Sequence, residues 1–116
     1  MGAQDRLAAF ALSLPGAWED FPWGERVAKV GKKVFVFLGK PGAGEGVGFS
    51  VKLPESALEA LESPHAQPTR YGLGRAGWVS FDFPPGEEPD DATLQAWVVE
   101  SWRSLAPKKA VKAYTG

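Results

Sequence analysis

The sequence predicts one α+β domain built from an antiparallel sheet with helices packed on one face. Short segments in which apolar and polar residues alternate follow one another without the strand–helix–strand order that a parallel sheet needs. Longer segments with apolar residues at helical spacing lie near both ends of the chain. The 116 residues show no internal repeat and no shift in composition. We therefore predict a single domain over residues 1–116, with 109–116 as a flexible tail.

The first helix is predicted from Asp5 to Ser13, because its apolar residues recur on one face. This stripe consists of Leu7, Phe10, Ala11 and Leu14. Pro15 and Gly16 end the helix. The following segment, 18–24, combines aromatic and turn-forming residues, and we assign it no regular element.

Three strands are predicted next. The first two, 26–30 and 33–38, are separated by a Gly-Lys pair, a short connection that is typical of a hairpin. The second strand is apolar on both faces, which indicates a central position in the sheet. Its side chains are expected to alternate, with Val34, Val36 and Leu38 on one side and Phe35 and Phe37 on the other. The third strand, 47–53, alternates so that Lys52 faces away from the core.

The second half of the chain predicts a short helix, a loop, a strand and a long helix. The short helix opens at Pro54 and ends near Ser63, and 65–77 is expected to be a loop. In the strand 78–83, alternation places Val79, Phe81 and Phe83 inward and Trp78, Ser80 and Asp82 on the opposite face. The last helix begins near Asp90, which can cap its first turn. Its predicted buried stripe consists of Leu94, Trp97, Val98, Ser101, Trp102 and Leu105.

The residues that usually carry catalysis or hold metals are missing or isolated. The chain has no Cys and a single His, His65. This excludes disulfides, iron–sulfur clusters and thiolate zinc sites, and it leaves no typical transition-metal site. Two glycine-rich segments, 42–46 and 72–77, are each followed by a strand rather than by the helix that a phosphate loop needs. We therefore predict a protein that is not an enzyme and has no cofactor.

The sequence also predicts a soluble protein of the cytoplasm. No run approaches the roughly 18 consecutive apolar residues that a membrane span needs. The first residues lack the basic region and apolar run of a secretory signal, and the lack of Cys agrees with a reducing compartment.

Charge is segregated along the chain although the net charge is only −1. Residues 24–52 carry six Lys or Arg against two acidic residues, residues 86–100 carry only acidic ones, and the segment from 101 onward carries only basic ones. Such a pattern can fold into a molecule with one basic face, or into ordinary solvated surfaces. The sequence leaves both interpretations open.

Several segments, taken in chain order, resemble the MmcQ/YjbR family of small bacterial proteins. They are WEDFPWG (18–24), VGKKVFVFL (30–38), FSVKL (49–53), YGL (71–73), GWV (77–79) and the segment from Leu94 to Lys109. The resemblance implies a frataxin-like (CyaY-like) fold and a DNA-binding protein with a double-wing arrangement. It implies no metal site here, because the acidic ridge that frataxin-like iron binding needs is reduced to Asp5 on the first helix. Gly77 also stands where the family often has a His before the Trp of its late strand.

DNA binding, weak and electrostatic, is the first of two functional hypotheses. Its candidate residues are Lys32, Lys33, Lys40, Lys52, Arg70 and Arg75, with Trp23, Tyr71 and Trp78 as a candidate aromatic surface. The second hypothesis is a protein- or small-ligand-binding domain in which Trp18 joins these aromatic residues in an exposed groove. The sequence predicts no oligomeric state.

Overall fold

A six-stranded antiparallel sheet and four helices make up the computed structural model, which describes residues 2–39, 46–70 and 72–114 and, at Trp23, the backbone alone. The helices are α1 (Ala3–Ser13), α2 (Ala57–Ala60), α3 (Asp91–Leu105) and α4 (Lys108–Ala113). The strands are β1 (Ala17–Asp20), β2 (Arg26–Val30), β3 (Lys33–Gly39), β4 (Val47–Lys52), β5 (Ala66–Pro68) and β6 (Trp78–Phe83). Short 3₁₀ turns lie at Pro22–Gly24 and Leu73–Ala76.

The strands lie side by side in the order β1-β2-β3-β4-β6-β5, and each neighbouring pair is antiparallel. From β4 the chain passes through α2 to the edge strand β5 and returns as β6, between β5 and β4. The helix predicted from Pro54 to Ser63 is reduced to the single turn of α2. The antiparallel sheet and its helices confirm the predicted α+β class.

One face of the sheet is covered by α1 and α3. The buried side chains of these helices are Leu7, Ala8, Ala11, Leu94, Val98, Ser101 and Trp102. They share a core cluster with inward-facing strand residues that include Val36, Phe49, Val51, Val79 and Phe81. Trp97 is only partly buried and stacks on Phe81, with ring centroids 4.3 Å apart.

Both edge strands lie in segments for which the sequence predicts no strand. β1 falls largely within the aromatic segment 18–24 and pairs with β2 along its whole length. β5 has three residues, lies inside the predicted loop 65–77 and contains Pro68. An edge strand tolerates proline, because the missing amide has no partner to lose on the outer side. Strands of three or four residues repeat the two-residue alternation too few times to be recognised, so pairing with a longer neighbour defines them.

The C-terminal segment forms α4, where the sequence predicts a flexible tail from residue 109. Ala110, Val111 and Tyr114 pack against the core, and the Tyr114 ring stands edge-on to Trp102 with centroids 5.4 Å apart. Burial of these apolar groups offsets the entropy lost when the segment becomes ordered. Residues 109–113 of the predicted tail therefore belong to a helix in the structure.

β3 contains an irregularity that changes which side chains reach the core. In its pairing with β2, Ala28 lies opposite Val36 and Lys29 lies opposite Val34, so Phe35 has no partner. Strict alternation predicts Phe35 and Val36 on opposite faces, yet both are 0% exposed and belong to the core cluster. The extra residue of a β-bulge bends the strand and re-aims a side chain, which accounts for the difference.

A buried hydroxyl from α3 joins β3 to β4 beside this bulge. Ser101 Oγ donates to the Phe35 carbonyl at 2.5 Å and accepts from the Lys52 amide at 2.9 Å. The neighbouring register, in which Val36 lies opposite Val51, would bring Phe35 and Lys52 opposite each other. The hydroxyl therefore takes the place of a direct hydrogen bond between the two strands.

Two ion pairs, one exposed and one partly buried, make the stability of the fold sensitive to acid. A hydrogen bond from Arg6 lowers the pKa of Asp91, and a hydrogen bond from Lys29 lowers the pKa of Asp20. A carboxyl whose pKa falls on folding contributes stability that is complete above its ordinary pKa, near 3.8, and is lost as the pH drops below it. We expect the thermal midpoint of the wild type to fall more steeply between pH 5 and pH 2.5 than that of Asp91→Asn. Parallel curves, measured by circular dichroism, would contradict this.

Candidate nucleic-acid interface

Strand pairing brings most of the predicted cations to one end of the sheet. The β2–β3 turn, the end of β4 and the start of β6 meet there, since Val30 lies opposite Lys33 and Lys52 lies opposite Trp78. β5 ends beside the start of β6. We call this region the hairpin end of the sheet; it comprises residues 31–33, 52, 68–70 and 72–78.

Lys32 and Lys33 occupy the tip of the β2–β3 hairpin. Both are exposed. They follow Gly31, whose φ of +62° is a left-handed conformation that glycine adopts at no steric cost. The tight turn therefore presents the two lysines together in solvent.

Lys52 lies on the outer face of the sheet, away from α1 and α3. Its neighbour Val51 is fully buried under the helices, so the alternation of the strand directs Lys52 to the other side. The Lys52 side chain is partly exposed. Its position on the outer face agrees with the sequence prediction.

Trp78 shares the outer face, but it is not the exposed aromatic surface that the sequence predicts. It is only 8% exposed, and its ring meets Phe37 edge-on with centroids 5.4 Å apart. Phe37 lies two strands away, with the small Ser50 between them in the register. The alternation of β6 predicts the face on which Trp78 lies. The burial of Trp78 depends instead on the Phe37 ring, which contacts it across β4.

Arg70 and Arg75 belong to the loop between β5 and β6, and both are exposed. The Thr69 amide donates to the Trp78 carbonyl at 3.1 Å, which continues the β5–β6 pairing to the hairpin end. The 3₁₀ turn that carries Arg75 contacts both strands. The loop therefore holds its two arginines at the same end of the sheet as the three lysines.

Three predicted site residues are not positioned by the structure. Lys40 and Tyr71 lie outside the described residues, and Trp23 is described by its backbone alone. The structure gathers the other five predicted cations at the hairpin end: Lys32, Lys33, Lys52, Arg70 and Arg75.

These five cations form no ion pair with any residue in 2–39, 46–70 or 72–114. The two basic residues of β2 are paired instead. Arg26 Nε lies 3.0 Å from a carboxylate oxygen of Glu19, and Lys29 Nζ lies 2.7 Å from one of Asp20. The hairpin end thus offers positive charge that no described acidic side chain neutralises.

A row of hydroxyl groups lies on the outer face next to the hairpin end. Ser80 Oγ is 2.7 Å from Ser50 Oγ and 2.9 Å from Thr69 Oγ1. Hydroxyl groups of this kind are common partners of phosphate oxygens. The outer face next to Lys52 and Trp78 therefore carries uncharged hydroxyl groups at these three positions.

Acidic residues mark the opposite end of the sheet. Asp82 lies opposite Gly48, near the far end of β6. Gln4 of α1 bonds to the Gly48 amide and carbonyl, and Arg6 of α1 pairs with Asp91 at the start of α3. The far end of the sheet thus carries Asp82 and the Arg6–Asp91 ion pair.

The end of α3 adds positive charge near the hairpin end, on the helix side of the sheet. Because Ser101 bonds to β4 at Lys52, the last turn of α3, which ends at Leu105, lies at this end. The exposed basic residues of α3 and α4 are Arg103, Lys108, Lys109 and Lys112.

Trp18 is an exposed aromatic side chain that lies against the β2–β3 turn. It is 45% exposed, and its indole Nε1 donates to the Gly31 carbonyl at 2.9 Å. Trp78 lies four strands away, about 19 Å at a strand spacing of about 4.8 Å, so these two residues do not line a common groove. The position of Trp18 beside the lysines depends on the pairing of β1 with β2, for which the sequence carries no clear signal.

A separate cleft of about 610 Å³ lies on the helix side of the molecule. Its lining residues are Phe10, Pro54, Glu55, Gln95, Ala96, Val99, Glu100, Arg103, Ser104 and Tyr114. Glu100 is engaged in the fold, since its carboxylate accepts from the amides of Glu55 and Ser56. The cleft therefore combines an apolar wall with a few polar groups.

The described ranges contain no group of three His, Asp or Glu side chains placed to hold a metal ion. None of the helices in these ranges has the length and apolar character that crossing a bilayer requires.

A model of the YjbR family matches residues 12–104, which is most of the sequence. The chain belongs to the YjbR family. The YjbR segment runs from the end of α1 through nearly all of α3 and contains the five cations of the hairpin end, whereas α4 lies beyond it. Among curated proteins, none matches the sequence at a significant level.

Proposed function

We propose that the protein binds DNA without catalysis, weakly and electrostatically, through the hairpin end. The observation that carries the proposal is the convergence of five cations from three separate segments of the chain, none of which forms an ion pair within residues 2–39, 46–70 and 72–114. In this proposal the β2–β3 turn and the β5–β6 loop act as the two wings that the family resemblance implies. The proposal also includes the frataxin-like fold that the family resemblance implies. It places the protein in the cytoplasm.

The dimensions of the hairpin end support contact with several phosphates. Its cations are spread over the ends of β3, β4, β6 and β5, a width of about 14 Å at a strand spacing of about 4.8 Å. Each DNA strand carries a phosphate about every 3.4 Å along the axis, so three or four phosphates fall within this width. A net charge of −1 permits binding only where such cations converge, which keeps the affinity low.

We expect micromolar or weaker affinity for a labelled duplex near physiological salt, with little sequence preference. The logarithm of the association constant should fall against the logarithm of salt concentration with a slope of roughly −3, at about −0.9 per phosphate. Replacing Lys33 and Lys52 together by Gln removes two phosphate contacts and should change the slope to roughly −1. Fluorescence anisotropy over a salt series measures both quantities.

The matched control lowers the net charge by the same two units, but at the first turn of α3. Ala92→Glu with Thr93→Glu places two carboxylates in the first turn, which the helix dipole favours, roughly 14 Å along the helix axis from Ser101. This distance exceeds the Debye length of about 10 Å at 0.1 M salt, so binding should be retained. Absence of wild-type binding at low salt, or an equal loss in both double variants, would overturn the proposal.

Binding of a small ligand is a second candidate function, supported by the cleft on the helix side. Its volume of about 610 Å³ lies within the range of roughly 300–1,000 Å³ that ligand sites occupy. Phe10, Val99 and Tyr114 supply apolar surface, and Glu55 and Arg103 supply charge. A ligand that raises the thermal midpoint of the wild type but not that of Val99→Glu, which fills the cleft, would favour this function.

A further inference from the structure

Trp18 gives the hairpin end an aromatic surface that is both exposed and held in place. The hydrogen bond from its indole to the Gly31 carbonyl fixes the ring against the turn that carries Lys32. The Lys29 ammonium lies 5.1 Å from the ring centre, and Asp20 binds that ammonium at 2.7 Å. These contacts leave 45% of Trp18 exposed.

A ring fixed in this way loses little conformational freedom when another group packs on it. Ordering a side chain at an interface otherwise costs binding free energy, so prior fixation favours contact with a flat partner. Because Trp18 lies on β1 and the lysines lie where β2 meets β3, the aromatic surface and the cations are about 10 Å apart. One ligand that carries both flat rings and anionic groups can therefore engage both.

We propose that Trp18 stacks on an unpaired base, so that the hairpin end binds single-stranded DNA in preference to duplex DNA. The proposal rests on the proposed function, since the lysines must engage the phosphates. In a duplex the bases stack on one another and present only their edges in the grooves. An unpaired base offers its face, and a cationic surface with aromatic side chains is the usual arrangement in single-strand binding.

Three labelled ligands of equal length test the proposal: an oligothymidine strand, the corresponding abasic strand and a duplex. The abasic strand keeps the phosphates but has no bases to stack. We expect the oligothymidine strand to bind more tightly than either of the others at the same salt concentration. Trp18→Ala should lower the affinity for oligothymidine roughly 5- to 100-fold and leave the affinity for the abasic strand unchanged.

Phe21→Ala is the matched control, because Phe21 is also 45% exposed but follows the far end of β1. It should leave binding of all three ligands unchanged. Trp18→Phe keeps an aromatic face and should retain most of the affinity for oligothymidine. Denaturation midpoints of the variants, measured in parallel, establish that a loss of binding is not a loss of fold.

The outcomes separate this inference from the proposed function. Equal affinity for the oligothymidine and abasic strands, with dependence on Lys33 and Lys52 retained, would overturn stacking and leave electrostatic binding standing. Tighter binding of the duplex would have the same consequence. Failure of all three ligands to bind at low salt would overturn both.

Discussion

Replacing Trp102 by alanine should lower the free energy of unfolding by about 3–5 kcal/mol, a large part of the roughly 5–15 kcal/mol that stabilises a typical domain. Trp102 is 0% exposed and is among the largest fully buried side chains. Its indole N–H donates to the Pro15 carbonyl at 3.1 Å, and its ring meets Tyr114. One side chain therefore joins α3 to the end of α1 and to the residue that follows α4. Chemical denaturation followed by circular dichroism measures the change.

Trp97→Ala is the comparison for this experiment, because Trp97 lies on the same helix but is only partly buried. Trp97→Ala should lower the free energy of unfolding clearly less than Trp102→Ala does. Trp102→Phe keeps part of the buried surface and should fall between the wild type and the alanine variant. A denaturation midpoint that Trp102→Ala leaves unchanged would mean that α3 does not close the core.

Ser101→Ala is expected to lower the free energy of unfolding by about 2–4 kcal/mol, although it removes a single oxygen atom. The Ser101 hydroxyl bonds to both the Phe35 carbonyl and the Lys52 amide between β3 and β4. Without it, two backbone groups at a fully buried position lose their partner, and the desolvation penalty of each is no longer offset. The same denaturation measurement applies.

Ser104→Ala provides the control three residues along the same helix. Its hydroxyl donates only to the Ser101 carbonyl, and the residue is exposed, so we expect little change in stability. A loss below about 1 kcal/mol for Ser101→Ala would contradict the bridging role, because it would mean that β3 and β4 close to form their own hydrogen bond.

The sequence predicts the fold where a segment is long enough to show its period. The stripe of α1 and the alternation in β4 and β6 each recur over several residues, and the structure confirms all three elements. β1 and β5 have four and three residues, so each is defined by the strand beside it. α4 is missed for a related reason, since its order comes from contact of Tyr114 with Trp102, which is distant in the sequence.

The sequence likewise predicts some features of the candidate site and misses others. Alternation predicts that Lys52 faces outward, because it needs only the neighbouring Val51. It predicts the face of Trp78 but not its burial, which depends on Phe37 two strands away. The convergence of Lys33 with Arg70 follows from the strand order β3-β4-β6-β5, and no local pattern encodes that order.

The Ser101 bridge also determines which part of the molecule protects the Lys52 amide from hydrogen exchange. Most amides of a sheet are shielded by the strand beside them, and they exchange when that pair of strands separates. The Lys52 amide is bonded to a side chain of α3 instead, so its exchange follows the undocking of the helix. The backbone beneath a proposed phosphate-binding lysine is thus tied to the helical layer on the other side of the sheet. A nucleic acid that holds Lys52 in place would accordingly slow exchange in α3, on the other side of the sheet.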